Sequence, residues 1–323
     1  MSTYPSHLYQ ILKKQQYHLA GSHSAVKKCS WLHKSLVSGR VCYKETFFGI
    51  KSHRCLQMSP SLFHCNQRCL HCWRVMPEDV GLTWDELSKP KGGWDEPETI
   101  YEESIKAQRR ILSGYKSLVI KGKVSAKKFE EALNPNQVAI SLTGEPTIYP
   151  YLSELIRIYK TKGFTVFLVT NGTLPKVLEN LYPLPTQLYI SLTSYDYDSF
   201  VRLNRPISTS LWGSIFDSLS LIKSLECPNV LRITSIKGMN MERPEAFAKI
   251  ITKYEPLYVE TKAYMNIGYS IYRLRKENMP THDEIKSFSS TLASLTGYKV
   301  IGESKDSRVV LLSKKLSSPQ RFN

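Results

Sequence analysis

Six of the seven cysteines fall between residues 29 and 72, in two rhythms. Cys65, Cys69 and Cys72 form C-x3-C-x2-C inside SLFHCNQRCLHCW, and Cys29, Cys42 and Cys55 precede them as C-x12-C-x12-C. Thiols at this density pair as disulfides, hold zinc, or hold an iron–sulfur cluster. A disulfide framework fits poorly. A chain of 323 residues can bury a core without staples, and MSTYPSHLYQILKKQQ lacks the apolar run of about 7–15 residues that marks a secretory leader. Structural zinc asks for four Cys or His ligands, commonly as two C-x2-4-C pairs, and His53, His64 and His71 keep that alternative open. Three thiolates on an iron–sulfur cluster leave one iron without a protein ligand, an open coordination site where chemistry can occur. The tight triad is the more specific of the two signals. Cys227, alone in SLECPNVL, reads as a core or turn residue.

Composition bounds the partners. Hydrophobic residues make up 41%, which suits a globular enzyme of one large domain or two smaller ones. No stretch approaches the length of about 18 apolar residues that a membrane span needs, so the expectation is a cytoplasmic protein without membrane contact. Lys and Arg number 44 against 28 Asp and Glu, a net charge of +16, and nucleic acid is the obvious polyanion for such a protein. The charge is uneven. Residues 12–54 carry Lys13, Lys14, Lys27, Lys28, Lys34, Arg40, Lys44, Lys51 and Arg54 against one acid, Glu45. A second basic run lies in 104–128, with Trp31, Tyr43, Trp73 and Tyr115 interleaved through these regions. That mixture suits phosphate contacts plus base stacking.

The elements that must position these groups alternate. Strand patterns occupy 56–60, 137–142, 164–169, 187–192, 230–236 and 257–264, with helical patterns at 98–113, 125–134, 151–162, 174–180, 196–203, 210–225, 243–254 and 281–295. Ser125 and Ser210 read as N-caps, and Thr281 to Glu284 as a capping box. Repeated β–α units imply a parallel sheet with helical crossovers. In a β/α barrel the active site sits at the C-terminal strand ends. The polar motifs T-G-E-P (143–146), T-N-G-T (170–173), T-S (193–194) and K-G-M-N (237–240) each follow a strand directly. The tail after residue 305 holds one strand pattern, VVLLS, and a basic Ser-Pro end expected to be mobile or to contact RNA.

These residues resemble the radical S-adenosylmethionine (SAM) superfamily, whose C-x3-C-x2-C loop holds a [4Fe-4S] cluster and leaves the fourth iron to SAM. Gly144-Glu145-Pro146 is similar to its Gly-Gly-Glu motif, with Thr143 in place of the first glycine. The resemblance implies that Thr143, Gly144 and Glu145 meet the SAM amino group through their backbone. His71 stands where such loops carry an aromatic ring against cluster and adenine. Asn171 and Ser191 fall where the SAM carboxylate or ribose would be met, with Lys237 and Asn240 as further candidates. Within the superfamily the chain resembles the tRNA 4-demethylwyosine synthases. The cysteine rhythm, VCYKETFFGIKSHRCLQMSP, SLTGEPTIYP, TNGT, YISLTSYD and KGMNM carry that likeness, which covers most of residues 25–270. It implies a partial (β/α)6 TIM-like barrel with an N-terminal extension carrying a second cluster. The expected division is 1–47 for the extension, 48–290 for the core barrel and 291–323 for a C-terminal strand and basic tail. It also implies the short archaeal form, without the flavodoxin-like domain of eukaryotic members, acting as a monomer with an external flavodoxin- or ferredoxin-type electron donor.

The reaction implied is on tRNA(Phe). Its 1-methylguanosine, 3′ of the anticodon, is condensed with two carbons of pyruvate to close the third ring of 4-demethylwyosine. The implied cofactors are SAM and two [4Fe-4S] clusters, on Cys65, Cys69 and Cys72 and on Cys29, Cys42 and Cys55. An N-methyl C–H bond is too strong for acid–base catalysis, so a radical-generating cofactor is needed. Lys44, two residues after Cys42, matches a lysine proposed in the family to join pyruvate as a Schiff base. That chemistry needs a neutral amine, which burial favours and the cluster's negative charge opposes. Two rivals remain at this level. One is a radical SAM enzyme acting on a protein, or on another RNA, with a relay cluster. The other is a zinc-bearing RNA-binding protein, which leaves the motifs after each strand unexplained.

Overall fold

In the computed structural model, residues 5–83, 90 and 92–322 are described. Strands β1 (Tyr17–Leu19), β2 (Ala25–Lys27), β3 (Cys55–Ser59), β4 (Gln137–Ile140), β5 (Thr165–Thr170), β6 (Gln187–Leu192), β7 (Asn229–Ser235), β8 (Tyr258–Ala263), β9 (Lys299–Ser304) and β10 (Val309–Ser313) form one sheet. Its centre is the expected set of six parallel strands, β3 to β8, each beside its sequence neighbour. The antiparallel pairs β1–β2 and β10–β9 extend the two sides, so β1 and β9 are the edges.

The helices are α1 (Ser6–Lys14), α2 (Ser30–Ser38), α3 (Tyr43–Phe48), α4 (Pro97–Ser113), α5 (Lys116–Ile120), α6 (Ala126–Leu133), α7 (Leu152–Thr161), α8 (Pro175–Glu179), α9 (Tyr197–Asn204), α10 (Leu211–Leu221), α11 (Pro244–Tyr254) and α12 (His282–Thr296). From α4 onward most were legible, with ends within two residues except at α10. Thr281 closes its capping box with Glu284, and Ser125 accepts from the Lys128 N–H. Ser210 does not cap α10; its hydroxyl pairs with that of Ser208 instead, 2.7 Å away.

The strand period of two divides the central strands into opposite faces. Leu56, Met58, Val138, Ile140, Val166, Leu168, Leu188, Ile190, Leu231, Ile233 and Val259 point outward and pack with the helices in the main core. The residues between them point inward, and they are of another kind: Phe167, Tyr189, Arg232, Glu260 and Lys262 occupy the lower part of this inner face, with Val169 and Ser191 above. An apolar outer face pays the cost of folding while the inner face is released for chemistry.

Before β3 the sequence reading saw only charge and cysteines. The structure places α1, β1, β2, α2 and α3 there, elements of three to nine residues in which no period can show. The tail expected to be mobile or RNA-bound is instead docked. All five residues of β10 are buried. Beyond it, the Gln320 N–H donates to the Tyr258 hydroxyl (2.9 Å) and the Phe322 N–H to the Phe48 carbonyl (2.8 Å). The Phe322 ring stacks on Phe48 at 5.8 Å and meets Phe167 edge-on at 6.0 Å. Phe322→Ala should therefore destabilise the protein by about 1–3 kcal/mol, less than a fully buried Phe because the ring is half-exposed. Thermal or denaturant unfolding would read this, and an unchanged melting curve would free the tail from its assigned anchoring role.

Candidate active site

The loop carrying the tight triad leaves the C-terminal end of β3 and is held by its neighbours. Gly144 sits at φ +71°, and a Cβ there would overlap the Ser61 carbonyl, so the loop after β4 lies directly against the cysteine loop. The Glu145 N–H donates to the His64 carbonyl (2.7 Å), and the Ser61 hydroxyl donates to the Glu145 carbonyl (2.9 Å). From the other side, the N–H groups of Arg68 and Leu70 donate to the carbonyls of Asn204 and Leu203 at the end of α9. Cys65, Cys69 and Cys72 thereby face one cavity of about 210 Å³, lined also by His71, Thr143, Gly144, Glu145, Asn171 and Ser191.

Not every expected residue faces that cavity freely. The Glu145 carboxylate accepts from the Thr147 N–H (3.1 Å) and hydroxyl (2.6 Å), the Thr170 hydroxyl (2.6 Å) and the Asn171 N–H (2.7 Å). Burial raises its pKa, and these donors oppose the rise because each favours the carboxylate. Its N–H and carbonyl being taken as well, Glu145 is a strut joining the ends of β4 and β5. Asn240 is fully buried, donates to the Thr193 and Thr234 carbonyls and accepts from the Ile236 N–H, so it staples a turn outside the cavity. Lys237 is exposed and pairs with Glu284, also away from the cavity. Asn171 keeps its place: its amide reaches the Asn66 oxygen at 2.9 Å and the Cys65 sulfur at 3.9 Å. Burial and then Arg273 push the His71 ring down to about 4, so it is a neutral ring with an unpartnered Nδ1.

Arg74 is a residue the sequence reading passed over. Burial works against its charge, but Cys65, Cys72 and Cys69 outweigh that and hold the guanidinium charged. It lies close enough to the Cys65 sulfur to interact with it electrostatically and donates to the Gln67 carbonyl at 2.6 Å. Its signal was a cation two residues beyond a thiol triad. A buried guanidinium facing three sulfurs is what a negatively charged thiolate group requires.

The second triad gathers at the other end of the sheet. Cys55 begins β3, and Cys29 and Cys42 are the N-cap residues of α2 and α3. Neither sulfur makes a capping hydrogen bond, but the first-turn N–H groups of Trp31 and Leu32 lie near the Cys29 sulfur and that of Lys44 near the Cys42 sulfur, favouring the thiolate. Burial raises all three pKa values, Cys42 to about 12, with Cys29 acting on Cys42 and both acting on Cys55. They are thiols until a cation takes the sulfur, and helix N-termini are where thiolates are best accommodated. Among the described residues no three His, Cys, Asp or Glu side chains converge to hold a single metal ion. A cubane cluster spreads its thiolates over different irons and so does not ask three sulfurs to converge on one point as zinc does. His53, one of the zinc candidates, is occupied by Glu131 at 2.6 Å.

Between the triads lies Lys44. Its ammonium sits over the rings of Phe167 (4.1 Å) and Tyr189 (4.6 Å), on the inner face. Val169 and Ser191, two residues further along those strands, line the upper cavity, a step of about 7 Å. Burial, then Arg232, push Lys44 down to about 8, against Cys55, Glu260 and Cys42. Arg232 pairs with Glu260 at 2.7 Å and donates to the Tyr43 hydroxyl at 2.8 Å. Glu260 Oε2 and the Tyr189 hydroxyl are buried without partners, polar atoms facing an interior able to take a polar ligand. Lys262, also lowered by burial, is held by the Ser307 carbonyl at 3.1 Å.

Comparison with known proteins is consistent with this geometry. A model of the radical SAM superfamily matches residues 60–251, and one described as wyosine base formation matches 253–314. The chain is 47% identical over 320 residues to the SAM-dependent tRNA 4-demethylwyosine synthase of Pyrococcus horikoshii, covering 98% of this chain and 91% of the relative. The corresponding Methanocaldococcus jannaschii enzyme is 44% identical over 308 residues, covering 95% and 96%. Among solved structures, TYW1 with a lysine–pyruvate adduct bound superposes with a TM-score of 0.87 at 40% identity over 99% of both chains. An archaeal TYW1 crystal structure gives 0.81 at 36% identity, over 99% of this chain and 100% of the other.

Gly144 offers a check on how the two loops are joined. Gly144→Ala adds a methyl group against the Ser61 carbonyl at a positive φ, so it should cost about 2–4 kcal/mol by strain and overlap together. A melting temperature within error of the parent would show that the loops are not pressed together there.

Proposed function

The chain belongs to the tRNA 4-demethylwyosine synthases of the radical SAM superfamily, and from that premise we propose how its own residues divide the reaction. It is an enzyme of tRNA modification that uses SAM and a [4Fe-4S] cluster. On our reading Cys65, Cys69 and Cys72 hold that cluster, and Cys29, Cys42 and Cys55 hold a second one. When bound, cluster and SAM supply a 5′-deoxyadenosyl radical, which can remove hydrogen from an unactivated C–H bond. The substrate is 1-methylguanosine 3′ of the anticodon of tRNA(Phe), and pyruvate supplies the two carbons that close the third ring. The electron comes from an external donor of flavodoxin or ferredoxin type to a monomeric, cytoplasmic protein.

The observation that carries this reading is the place of Lys44, on the inner face of the sheet, between the triads and one side-chain layer below the upper cavity. The neutral amine attacks the keto carbon of pyruvate, water leaves, and a Schiff base fixes the pyruvate carbons on α3. Desolvation and Arg232 favour the neutral amine the attack needs. The relative solved with a lysine–pyruvate adduct supports a lysine in this role. Lys262 is the competing buried amine, but its Nζ is spent on the Ser307 carbonyl. Asn171 and His71 line the upper cavity, where they would orient SAM, and Arg74 offsets the charge of the thiolates. Thr143, Gly144 and Ser191 offer their backbone and hydroxyl edges to the same ligand.

Two measurements test this assignment. Anaerobically reconstituted protein should bind about eight iron and eight sulfide ions. Alanine at Cys29, Cys42 or Cys55 should halve that content and keep SAM cleavage, whereas alanine at Cys65, Cys69 or Cys72 should halve it and abolish cleavage. Loss of all iron from both sets would point to one shared site. Separately, borohydride with labelled pyruvate should fix label at Lys44. Lys44→Arg, whose guanidinium stays protonated and forms no imine, should lower product formation at least about a hundredfold while SAM cleavage persists. Label at Lys262, or near-normal turnover by Lys44→Arg, would remove Lys44 from the covalent role.

A further inference from the structure

A second cavity, about 690 Å³, opens on the outer side of the N-terminal elements, where α1, β1, the residue after β2 and the end of α4 meet. Lys13, His18, Lys28 and Arg110 line it, with Tyr9 and Tyr17 between them, and among the described residues no acidic side chain does. Some basic residues elsewhere on the surface are matched, Lys106 by Glu103, Lys223 by Glu255 and Lys237 by Glu284, while others such as Lys162, Lys176 and Lys249 stand singly on or just after helices rather than around this concavity. Among the described residues, Lys13, Lys28 and Arg110 take part in no recorded ion pair. Three cations without an anionic partner around one concavity make a positive potential, the only aromatic contact recorded for them among the described residues being Lys28 over the Tyr115 ring at 5.7 Å.

A helix-dipole account covers part of this. Lys13 and Arg110 stand in the last turns of α1 and α4, where cations stabilise by about 0.3–1 kcal/mol each. Lys28 belongs to no helix, so that account leaves it unexplained. The groove adjoins the active site across one pair of rings. Tyr17, part of its lining, stacks on Trp73 at 6.3 Å, and Trp73 lines the cavity of the tight triad. Lys27 lies over both rings, at 4.6 and 4.8 Å. A cation over a pair of stacked aromatics forms a firm partition with a basic groove on one side and the reaction cavity on the other.

We propose that the phosphodiester backbone of the tRNA lies in the groove of Lys13, Lys28 and Arg110, and that the target base passes the Tyr17–Trp73 wall to enter the cavity. The inference rests on the reading that tRNA is the substrate. Phosphate contacts fix register without reading sequence, which suits an enzyme that must bring one nucleotide to a fixed cavity. The base itself must leave its stack to be reached, and an aromatic wall beside the entrance gives its neighbours a surface to stack on.

The test compares two triple variants that remove equal charge, using an unmodified tRNA(Phe) transcript as the binding probe. One is Lys13→Gln with Lys28→Gln and Arg110→Gln. The other is Lys162→Gln with Lys176→Gln and Lys249→Gln, exposed residues on the outer helices. The groove variant should bind at least about tenfold more weakly, and its log K against log salt slope should fall by about two to three units, one phosphate per lost cation. With tRNA carrying 1-methylguanosine, KM should rise while kcat is kept. The control variant should bind within about threefold of the parent. Lys13→Arg with Lys28→Arg, which keeps the charge, should restore affinity and separates lost contact from lost folding, with melting curves alongside. Equal weakening in both triples, or an unchanged slope in the groove triple, overturns the proposal. A parent protein that fails to convert tRNA carrying 1-methylguanosine would instead overturn the reading beneath it.

Discussion

Rolling a sheet around a polar interior creates a desolvation problem, because a guanidinium or carboxylate taken from water is costly unless matched. Here the match is made between neighbouring strands: Arg232 of β7 faces Glu260 of β8 in direct register, 2.7 Å apart. The pair takes in the Tyr43 hydroxyl, which anchors the start of α3, the helix bearing Lys44. Removing one member of such a buried pair typically costs about 3–5 kcal/mol, since the other charge is left alone. The inner face can therefore carry charge only where strand register and the helix capping it agree. Aliphatic packing on the outer face supplies the stability that lets this arrangement persist.

The electrostatics of that interior are a balance of near neighbours. Lys44, Arg232 and Lys262 are cations within one small volume, with Glu260 and the cysteine sulfurs opposing them. An arginine holds its proton firmly under these conditions and a lysine gives it up more readily, so the excess positive charge lowers the lysines. Of the two, Lys262 has a carbonyl to donate to, whereas Lys44 meets only aromatic faces among the described residues. Residue type and partner thus separate two lysines that burial alone treats alike.

The central α/β architecture was legible because its strands and helices are long enough to show a period, and because polar motifs recur after strands. QLYISL was readable to the residue, and Thr281 closes the capping box its sequence announces. Both cysteine sets were visible from spacing, and both gather as groups. What stayed hidden was tertiary. Glu145 and Asn240 looked like ligand-facing residues, and only their tertiary partners, the donors around the Glu145 carboxylate and the carbonyls to which Asn240 donates, show how the fold engages them. Arg232 and Glu260 gave no local signal, since a charge inside a strand acquires meaning only from what it faces. Phe322 sat in a polar, Pro-containing tail that composition assigns to solvent, and its anchor lies more than 270 residues upstream at Phe48.

The N-cap positions of Cys29 and Cys42 carry a thermodynamic consequence. Sulfur that becomes thiolate on taking a cation also becomes a better helix cap, since the N-terminal peptide dipoles favour negative charge. Linkage is reciprocal: whatever free energy α2 and α3 gain from the bound cation, the cation gains from the helices. Every 1.4 kcal/mol of helix order, by the general conversion, is worth about tenfold in affinity at that triad. The leucines that fix α2, Leu32 and Leu36, lie in the cluster that Cys29 packs against, and they belong to the affinity of the site as surely as the cysteines do.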